Sequence, residues 1–455
     1  MKRLIVVIFI ISSILSAYAQ GIYRYRISLT DKSDTEYSLS HPELFLSEKA
    51  LLRRAKQGLQ VDSTDLPVCR SYIKGIAEKG VDIINSSKWN NTVLVECPDT
   101  TIIEKVLQLP FVEGVKKVWT CPPTVPIRDD NRKKSVTNKN VATKEYYGVA
   151  TSQVTMLNVD KLHALGFRGN GLTVAIIDGG FCNADTVELL RNVKIEGTRN
   201  FVNDFDIYGE TDHGLKVLSC MAANKPEIMV GTAPEASYWL LCSEDSDSEY
   251  LVEEDYWAEA IEFADSVGVD VVNTSLGYSS FDDKSTNYTY SQLDGRTSLI
   301  SRSASMAADK GMVVVCSAGN EGNKVWKKIT VPADADQVLT VGAVDKRRMN
   351  TTFSSVGDTS DGRVKPDVMA LGGGSAVIES DGTTDWANGT SFASPTLCGA
   401  VVCLWQACPD LTAKQLIELV RKVGDRAEHP DNIFGYGIPD FWKAYQMEHK
   451  NEQSQ

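Results

Sequence analysis

Histidine is scarce in this chain, and long apolar runs are absent beyond its first residues. Only five of its 455 residues are histidine, and none of its ten cysteines has metal-finger spacing, so we expect no structural zinc site. Acidic residues outnumber basic ones, 60 to 47, giving a formal net charge of −13. That balance argues against a nucleic-acid partner. No later stretch is long enough to cross a bilayer, so we expect no membrane partner either.

The first residues have the pattern of a secretory signal peptide. A basic start, Met1-Lys2-Arg3, precedes an apolar run over residues 4–15, and Ala17-Tyr18-Ala19 has the small-x-small spacing of a cleavage site. The apolar run is too short for a membrane span. We therefore predict a cleavable signal over residues 1–19 and a soluble, secreted or periplasmic monomer.

Two regions of different texture follow the signal. Residues 20–120 mix short alternating stretches, such as "TVLVEC", with helical patterns, which predicts a small α+β domain with an antiparallel sheet. Residues 121–145 are mostly polar and charged and predict an exposed linker. In residues 146–447, Val/Ile-rich runs such as "LTVAIID" and "GMVVVCSAGN" alternate with helical segments. That alternation predicts an α/β fold with a doubly wound, mostly parallel sheet.

Most cysteines lie in apolar runs, for example Cys242 in "WLLCS" and Cys316 in "VVVCSAG". Export permits disulfides, but this setting favours buried thiols that pack as small hydrophobic groups.

Four polar residues fall where a parallel sheet collects functional groups, at the carboxyl ends of its strands or at helix starts. They are Asp178 in "VAIIDGGF", His213 in "DHGLKVLSC", Asn320 in "SAGNEG" and Ser391 in "NGTSFASP". A serine hydroxyl needs an imidazole to take its proton, and the imidazole needs a carboxylate to orient it. A tetrahedral oxyanion needs donors, which an asparagine amide and a backbone N–H supply. Taken singly, each residue is equally consistent with a structural role, such as a helix N-cap or a turn.

The four residues occur along the chain in the order Asp, His, Asn, Ser. Five motifs contain or accompany them: "VGTAPEA" (230–236), "NTSLG" (273–277), "SAGN" (317–320), "GTSFASP" (389–395) and "FGYGIPD" (434–440). In these motifs the chain resembles the subtilisin-like serine proteases, or subtilases. The resemblance covers about residues 146–445 and implies a peptidase acting on protein or peptide substrates. It assigns the triad to Asp178, His213 and Ser391, and the oxyanion donor to Asn320. It assigns the substrate-pairing strand to Ser275, Leu276 and Gly277.

The resemblance also implies that residues 20–120 are a prodomain that assists folding and inhibits the enzyme intramolecularly until it is cut between about residues 122 and 146. A permanent accessory domain is the alternative. Pro395 is expected within about the first helical turn, where its missing N–H does little harm.

Two positions depart from the family pattern. Gly179 follows the aspartate where Ser or Thr is usual, and Leu215 stands where Thr or Ser usually follows His-Gly. We expect altered efficiency with the mechanism kept. These departures leave open a weakened or self-processing-only binding protein on the same fold. An esterase is a further alternative, although "GTSFA" lacks the second glycine of a Gly-x-Ser-x-Gly elbow.

Two further expectations concern ions and substrate. No cofactor is required, no metal ligands are assigned, and the loop "AANKPEIMVG" offers only Asn224 and Glu227, too few oxygens for the family's calcium site. Calcium elsewhere stays open. In the acidic stretch 243–257, a solvated loop is the simpler interpretation. The alternative is that Glu253, Glu254 or Asp255 favours basic substrate residues.

Overall fold

A computed structural model of the chain describes residues 22–121, 140 and 142–452. The predicted signal peptide (1–19) lies outside these residues, as does most of the predicted linker (121–145). The described strands are β1 (Tyr23–Leu29), β2 (Asp82–Ser87), β3 (Thr92–Cys97), β4 (Val112–Thr120), β5 (Thr173–Asp178), β6 (Lys194–Asn200), β7 (Asn224–Lys225), β8 (Met229–Val230), β9 (Ser237–Cys242), β10 (Val271–Thr274), β11 (Val313–Ser317), β12 (Leu339–Asp345), β13 (Val368–Ile378) and β14 (Thr384–Asn388). The described α-helices are α1 (Glu48–Lys56), α2 (Arg70–Ala77), α3 (Thr100–Leu107), α4 (Thr151–Met156), α5 (Val159–Ala164), α6 (His213–Ala222), α7 (Glu253–Val267), α8 (Leu299–Asp309), α9 (Thr390–Ala407), α10 (Ala413–Lys422) and α11 (Phe441–Glu452).

The chain divides into two compact units. Among the described residues, the smaller unit comprises 22–41, 62–121 and Tyr250–Asp255. The larger unit comprises the segment Pro42–Val61, residues 140 and 142–249, and the chain from Tyr256 onward.

The larger unit is built on an eight-stranded sheet in the order β14-β13-β12-β11-β10-β5-β9-β6. Neighbouring strands pair in parallel, except that β14 runs antiparallel to β13. Every residue of β5 and β11 is buried, as expected for continuous Val/Ile strands covered on both faces. Helices flank the sheet, and the long, almost wholly buried α9 packs against β10 to β13. The predicted α/β fold with a mostly parallel sheet is confirmed.

The sequence patterns do not reveal the two edge strands of this sheet. Strand β6 reads "KIEGTRN" and is largely exposed, and β14 reads "TDWAN" and is likewise only partly covered. An edge strand has one neighbour and faces solvent, so it lacks the continuous apolar run that marks the central strands.

The smaller unit contains a four-stranded antiparallel sheet in the order β2-β3-β1-β4. Its inward side chains, together with residues of α2 and α3, form a separate apolar core that includes Ile27, Val93, Val95, Ile76 and Val106. The predicted small α+β domain with an antiparallel sheet is therefore present. Helix α1 belongs by its contacts to the larger unit, although the sequence placed it with the α+β domain.

Nine of the ten cysteines are buried, as their apolar sequence settings suggested, and Cys121 is partly exposed. Burial raises the pKa of Cys220 to about 12, which leaves its thiol protonated and unreactive at neutral pH. Within the described part of the chain, no helix combines the length and the apolarity that a bilayer crossing requires.

Candidate active site

Asp178 is the last residue of β5 and is fully buried. Its Oδ1 accepts hydrogen bonds from the His213 Nδ1 at 2.7 Å and from the Gly179 backbone N–H at 2.8 Å. Its Oδ2 is buried and has no hydrogen-bond partner in the described structure. A carboxylate in this position fixes the imidazole tautomer and leaves Nε2 as the free proton acceptor.

His213 is the first residue of α6. The next residue, Gly214, lets this helix begin close to the Gly180 backbone, because a β-carbon at Gly214 would lie 2.4 Å from the Gly180 oxygen. Leu215 is fully buried in the core of the larger unit, which explains the departure at that position as packing. Burial disfavours a charged imidazole here, but the Asp178 carboxylate and its hydrogen bond outweigh burial and raise the pKa of His213 to about 9.

Ser391 is the second residue of α9 and is 7% exposed. It exchanges two hydrogen bonds with Ser275. The Ser391 Oγ donates to the Ser275 carbonyl at 3.3 Å, and the Ser275 Oγ donates to the Ser391 carbonyl at 2.9 Å. No hydrogen bond joins His213 to Ser391 in the described structure, although both line the same cavity.

Pro395 is the sixth residue of α9, so the expectation that it lies in the first turn was wrong. A residue at this position would normally donate its N–H to the carbonyl four residues earlier, which is that of Ser391. Proline lacks this N–H, and the Ser275 hydroxyl takes its place. The Ser391 carbonyl, which the proline leaves without a helical partner, therefore joins the start of α9 to the residue after β10.

Asn320 lies three residues beyond the end of β11. Its Oδ1 accepts hydrogen bonds from the Thr390 N–H at 2.9 Å and from the Thr390 hydroxyl at 3.1 Å. Because a backbone N–H can only donate, these bonds fix which amide atom is oxygen. The Nδ2 group makes no hydrogen bond in the described structure and is available as a donor at the cavity that Asn320 lines.

The cavity has a volume of about 400 Å³ and brings together six of the seven predicted site residues, with Asp178 held behind His213. Ser275 and Leu276 are buried, whereas Gly277 is exposed, and all three directly follow β10. Gly277 must be small, because a β-carbon there would lie 2.2 Å from the Thr330 Oγ1. The predicted residues lining the cavity are His213, Ser275, Leu276, Gly277, Asn320 and Ser391.

The three acidic residues singled out in the stretch 243–257 match neither the solvated loop nor the substrate-recognition role expected for them. Glu253, Glu254 and Asp255 are buried, neither solvated nor facing this cavity, and in the smaller unit Asp255 forms a two-point ion pair with Arg26 at 2.6 Å. The carboxylate from this stretch that does line the cavity is Glu244. Sequence reasoning missed it, and its only signal was a position two residues beyond a strand end.

Gly179 is explained by Glu244. A β-carbon at Gly179 would lie 3.2 Å from the Glu244 Oε2 and 3.5 Å from the Thr211 Oγ1. Glycine therefore makes room for the carboxylate. Burial and the nearby Asp178 charge raise the pKa of Glu244 to about 7.

In the loop that the sequence excluded as a calcium site, the Asn224 Oδ1 accepts a hydrogen bond from Arg168 at 3.5 Å. This contact directs an arginine, and thus a positive charge, at one of the two oxygens that the loop offers.

Comparisons with known proteins agree with this geometry. Residues 169–437 match the subtilase family, Peptidase S8, and residues 24–137 match the Peptidase S8 propeptide domain of Bacteroidota. Subtilisin DY of Bacillus licheniformis is 31% identical over 290 residues, which is 62% of this chain and 93% of that protein. Subtilisin E of Bacillus subtilis (strain 168) is 28% identical over 366 residues, which is 80% of this chain and 82% of that protein.

The epidermin leader peptide processing serine protease of Staphylococcus aureus has the same fold. Its crystal structure superposes with a TM-score of 0.63 at 17% identity, covering 93% of this chain and 98% of that one. The family match spans more than half of the sequence and includes the residues that meet at the cavity. This chain is a subtilisin-like serine protease of the subtilase family, with a Peptidase S8 propeptide domain preceding its peptidase domain.

Proposed function

We propose that this chain is an exported serine endopeptidase that cuts peptide bonds through Asp178, His213 and Ser391 and is activated by removal of its propeptide. The observation that carries the proposal is the 2.7 Å hydrogen bond from the His213 Nδ1 to the buried Asp178, with Ser391 and Asn320 at the same cavity. Subtilase family membership supports the same reaction.

The first half of the reaction begins at Ser391. When its hydroxyl turns from the Ser275 carbonyl toward the free Nε2 of His213, the imidazole takes the proton as the Oγ attacks the substrate carbonyl carbon. Asp178 stabilises the resulting imidazolium through the bond to Nδ1. The tetrahedral oxyanion accepts hydrogen bonds from the Asn320 Nδ2 and from the Ser391 N–H at the start of α9.

The second half restores the enzyme. The imidazolium protonates the leaving amine, the C–N bond breaks, and an acyl-enzyme ester remains on Ser391. Water then attacks this ester while His213 again accepts a proton, and His213 returns that proton to the Ser391 Oγ as the ester C–O bond breaks and the carboxylic acid product leaves. Ser275, Leu276 and Gly277, which directly follow β10 and line the cavity, are proposed to pair with the substrate main chain.

Activation is proposed to follow from the propeptide match over residues 24–137. A cut between about residues 122 and 146 would separate the antiparallel β1–β4 unit from the peptidase domain in the covalent chain. The predicted signal over residues 1–19 supports the proposal that this maturation takes place outside the cytoplasm.

The test compares the parent chain with Ser391→Ala, and with Ser394→Ala as the matched control. Ser394 lies on the same helix, but its hydroxyl donates to the Asn273 Oδ1 at 2.8 Å and does not line the cavity. The parent and the Ser394 variant are expected to cut the linker, to hydrolyse added protein, and to be labelled at Ser391 by an organophosphate. The Ser391 variant should do none of these. Self-cleavage without hydrolysis of added protein would refute a general endopeptidase.

A further inference from the structure

Glu244 lies inside the cleft where the proposed reaction takes place. It follows β9 by two residues and lines the cavity together with His213 and Gly179. Its carboxylate occupies the space beside Gly179, the residue that directly follows Asp178. A substrate residue next to the scissile bond must therefore pass close to this carboxylate.

Apart from His213, whose charge favours the carboxylate, no cation of the described chain acts on Glu244. Its side chain makes no hydrogen bond or ion pair in the described structure. Lys324, which also lines the cavity, pairs with Glu321 at 2.9 Å, and Lys216 pairs with Glu379 at 3.0 Å. Asp178 and Asp245 repel the charge of Glu244, and His213 favours it. Glu249 and Glu244 also repel each other.

We propose that Glu244 selects substrates carrying a lysine or arginine within two residues of the scissile bond. The inference rests on the proposed peptidase function and specifies its substrate class. A cationic side chain placed against Glu244 pairs with the carboxylate and offsets the surrounding negative charge. An uncharged side chain of the same length buries this acidic group further without adding a cation to it.

The experiment uses peptides that differ only in lysine or norleucine at one position, because norleucine keeps the aliphatic chain and removes the ammonium. The parent, Glu244→Gln and Asp247→Asn are compared by kcat/KM at each position within two residues of the cut. Asp247 is the matched control, since it belongs to the same acidic loop but does not line the cavity. Taking the ratio of the two peptides within each variant cancels any effect of the substitution on His213.

The parent is expected to prefer lysine over norleucine at one position by about tenfold or more. The preference should fall to within about twofold in Glu244→Gln and persist in Asp247→Asn. Equal rates for both peptides at every position in the parent, or a preference that survives Glu244→Gln, would overturn the proposal. Dissociation constants are also measured on Ser391→Ala after an added protease has cut a recognition site placed in its linker and the propeptide has been removed. They report the same preference without hydrolysis, so a failure of the proposed reaction remains distinguishable from a failure of this assignment.

A second observation concerns Pro42–Val61, which lies within the propeptide match but has its contacts in the larger unit. On α1, Arg53 and Arg54 both bind the buried Asp265 of α7, and Arg54 does so at 2.9 Å. Arg53 also donates to the Lys310 carbonyl at 3.3 Å. All three side chains of this arginine–aspartate cluster are at most 4% exposed.

The residue that follows α1, Gln57, is also bound to the larger unit. The Gln57 side chain donates to the Gly311 carbonyl at 2.7 Å and accepts from the Ala413 N–H at 2.8 Å. Gly311 has a φ of +83°, and a β-carbon there would lie 2.7 Å from the Gln57 amide nitrogen. The larger unit is therefore shaped to receive this segment.

The geometry points to α1 as an anchor that keeps the propeptide bound after the linker is cut. Cleavage alone then leaves the propeptide attached through Asp265, and release of inhibition requires this contact to separate. Removing one partner of a buried ion pair is strongly unfavourable, which makes the separation slow.

The test uses the full chain with Ser391→Ala and a recognition site for an added protease in the linker. After the cut, propeptide dissociation is followed by size-exclusion chromatography. Arg53→Met with Arg54→Met should accelerate dissociation at least about tenfold, whereas Arg70→Met, which changes an exposed propeptide arginine, should not. An unchanged dissociation rate would overturn the anchor. If the double variant does not fold, amide hydrogen exchange is measured on the cut chain that carries Ser391→Ala alone. The α1 amides are expected to stay protected after cleavage, and their immediate exchange would refute the proposal.

Discussion

In the proposed mechanism, the pH dependence of hydrolysis follows from the charge on His213. The imidazole acts as a base only when neutral, and its pKa is about 9. At pH 7 a group of this pKa is neutral in only about 1% of molecules, rising to roughly 9% at pH 8 and half at pH 9. For a substrate without ionisable side chains, kcat/KM should therefore rise almost tenfold from pH 7 to pH 8 and level off above pH 10.

The assay is a series of initial rates from pH 6 to pH 11 on one neutral fluorogenic peptide. Two substitutions should move the midpoint in opposite directions. Glu244→Gln removes a negative charge that favours the imidazolium, which lowers the midpoint. Lys216→Met removes a positive charge and leaves Asp212 and Glu379 without their lysine partner, which raises it.

A parent midpoint at or below the ordinary histidine value of about 6.5 would refute this reasoning, because Asp178 would then not be outweighing the cost of burial. Shifts of the two variants in the same direction would refute the assignment of Glu244 and Lys216 as the opposing charges.

Three further outcomes are expected. Asn320→Ala should lower kcat by about a hundredfold to a thousandfold, the range known for such a donor in a subtilisin, with KM nearly constant; a loss confined to KM would contradict the oxyanion role. Ser275→Ala should reduce the free energy of unfolding by about 1–3 kcal/mol, because it leaves the buried Ser391 carbonyl unpaired. Denaturant titrations should show that adding Pro395→Ala restores part of this stability, because alanine supplies the N–H that proline lacks. His163 is buried, and its pKa is lowered to about 4. Its contribution to stability is therefore present above pH 6.5 and declines as pH falls toward 4, by up to about 3 kcal/mol; urea titrations of the parent and His163→Asn at pH 7 and 4.5 measure this difference.

The sequence predicts the central strands of the larger unit well, because burial on both faces shows directly in the local run of apolar residues. A strand buried on both faces must be apolar throughout, so "LTVAIID" indicates both β5 and the exit position of Asp178. The same logic places Asn320 just beyond β11. The exposed strand β6 could not be predicted in this way, because an edge strand has no distinctive apolar pattern.

What the sequence could not predict depends on contacts between distant segments. The Ser275 hydroxyl compensates for Pro395 across more than a hundred residues. Glu253, Glu254 and Asp255 look solvated in the sequence, yet they are buried, and Asp255 pairs with Arg26. Neither partner can be inferred from local spacing, since each comes from another part of the chain.

The paired bonds between Ser275 and Ser391 have a mechanical consequence. Each residue's hydroxyl donates to the other's carbonyl, so the proposed substrate-pairing segment and the proposed attacking oxygen are mechanically coupled. Substitutions in the segment 275–277 should consequently change kcat as well as KM, even where the altered side chain does not contact the Ser391 Oγ.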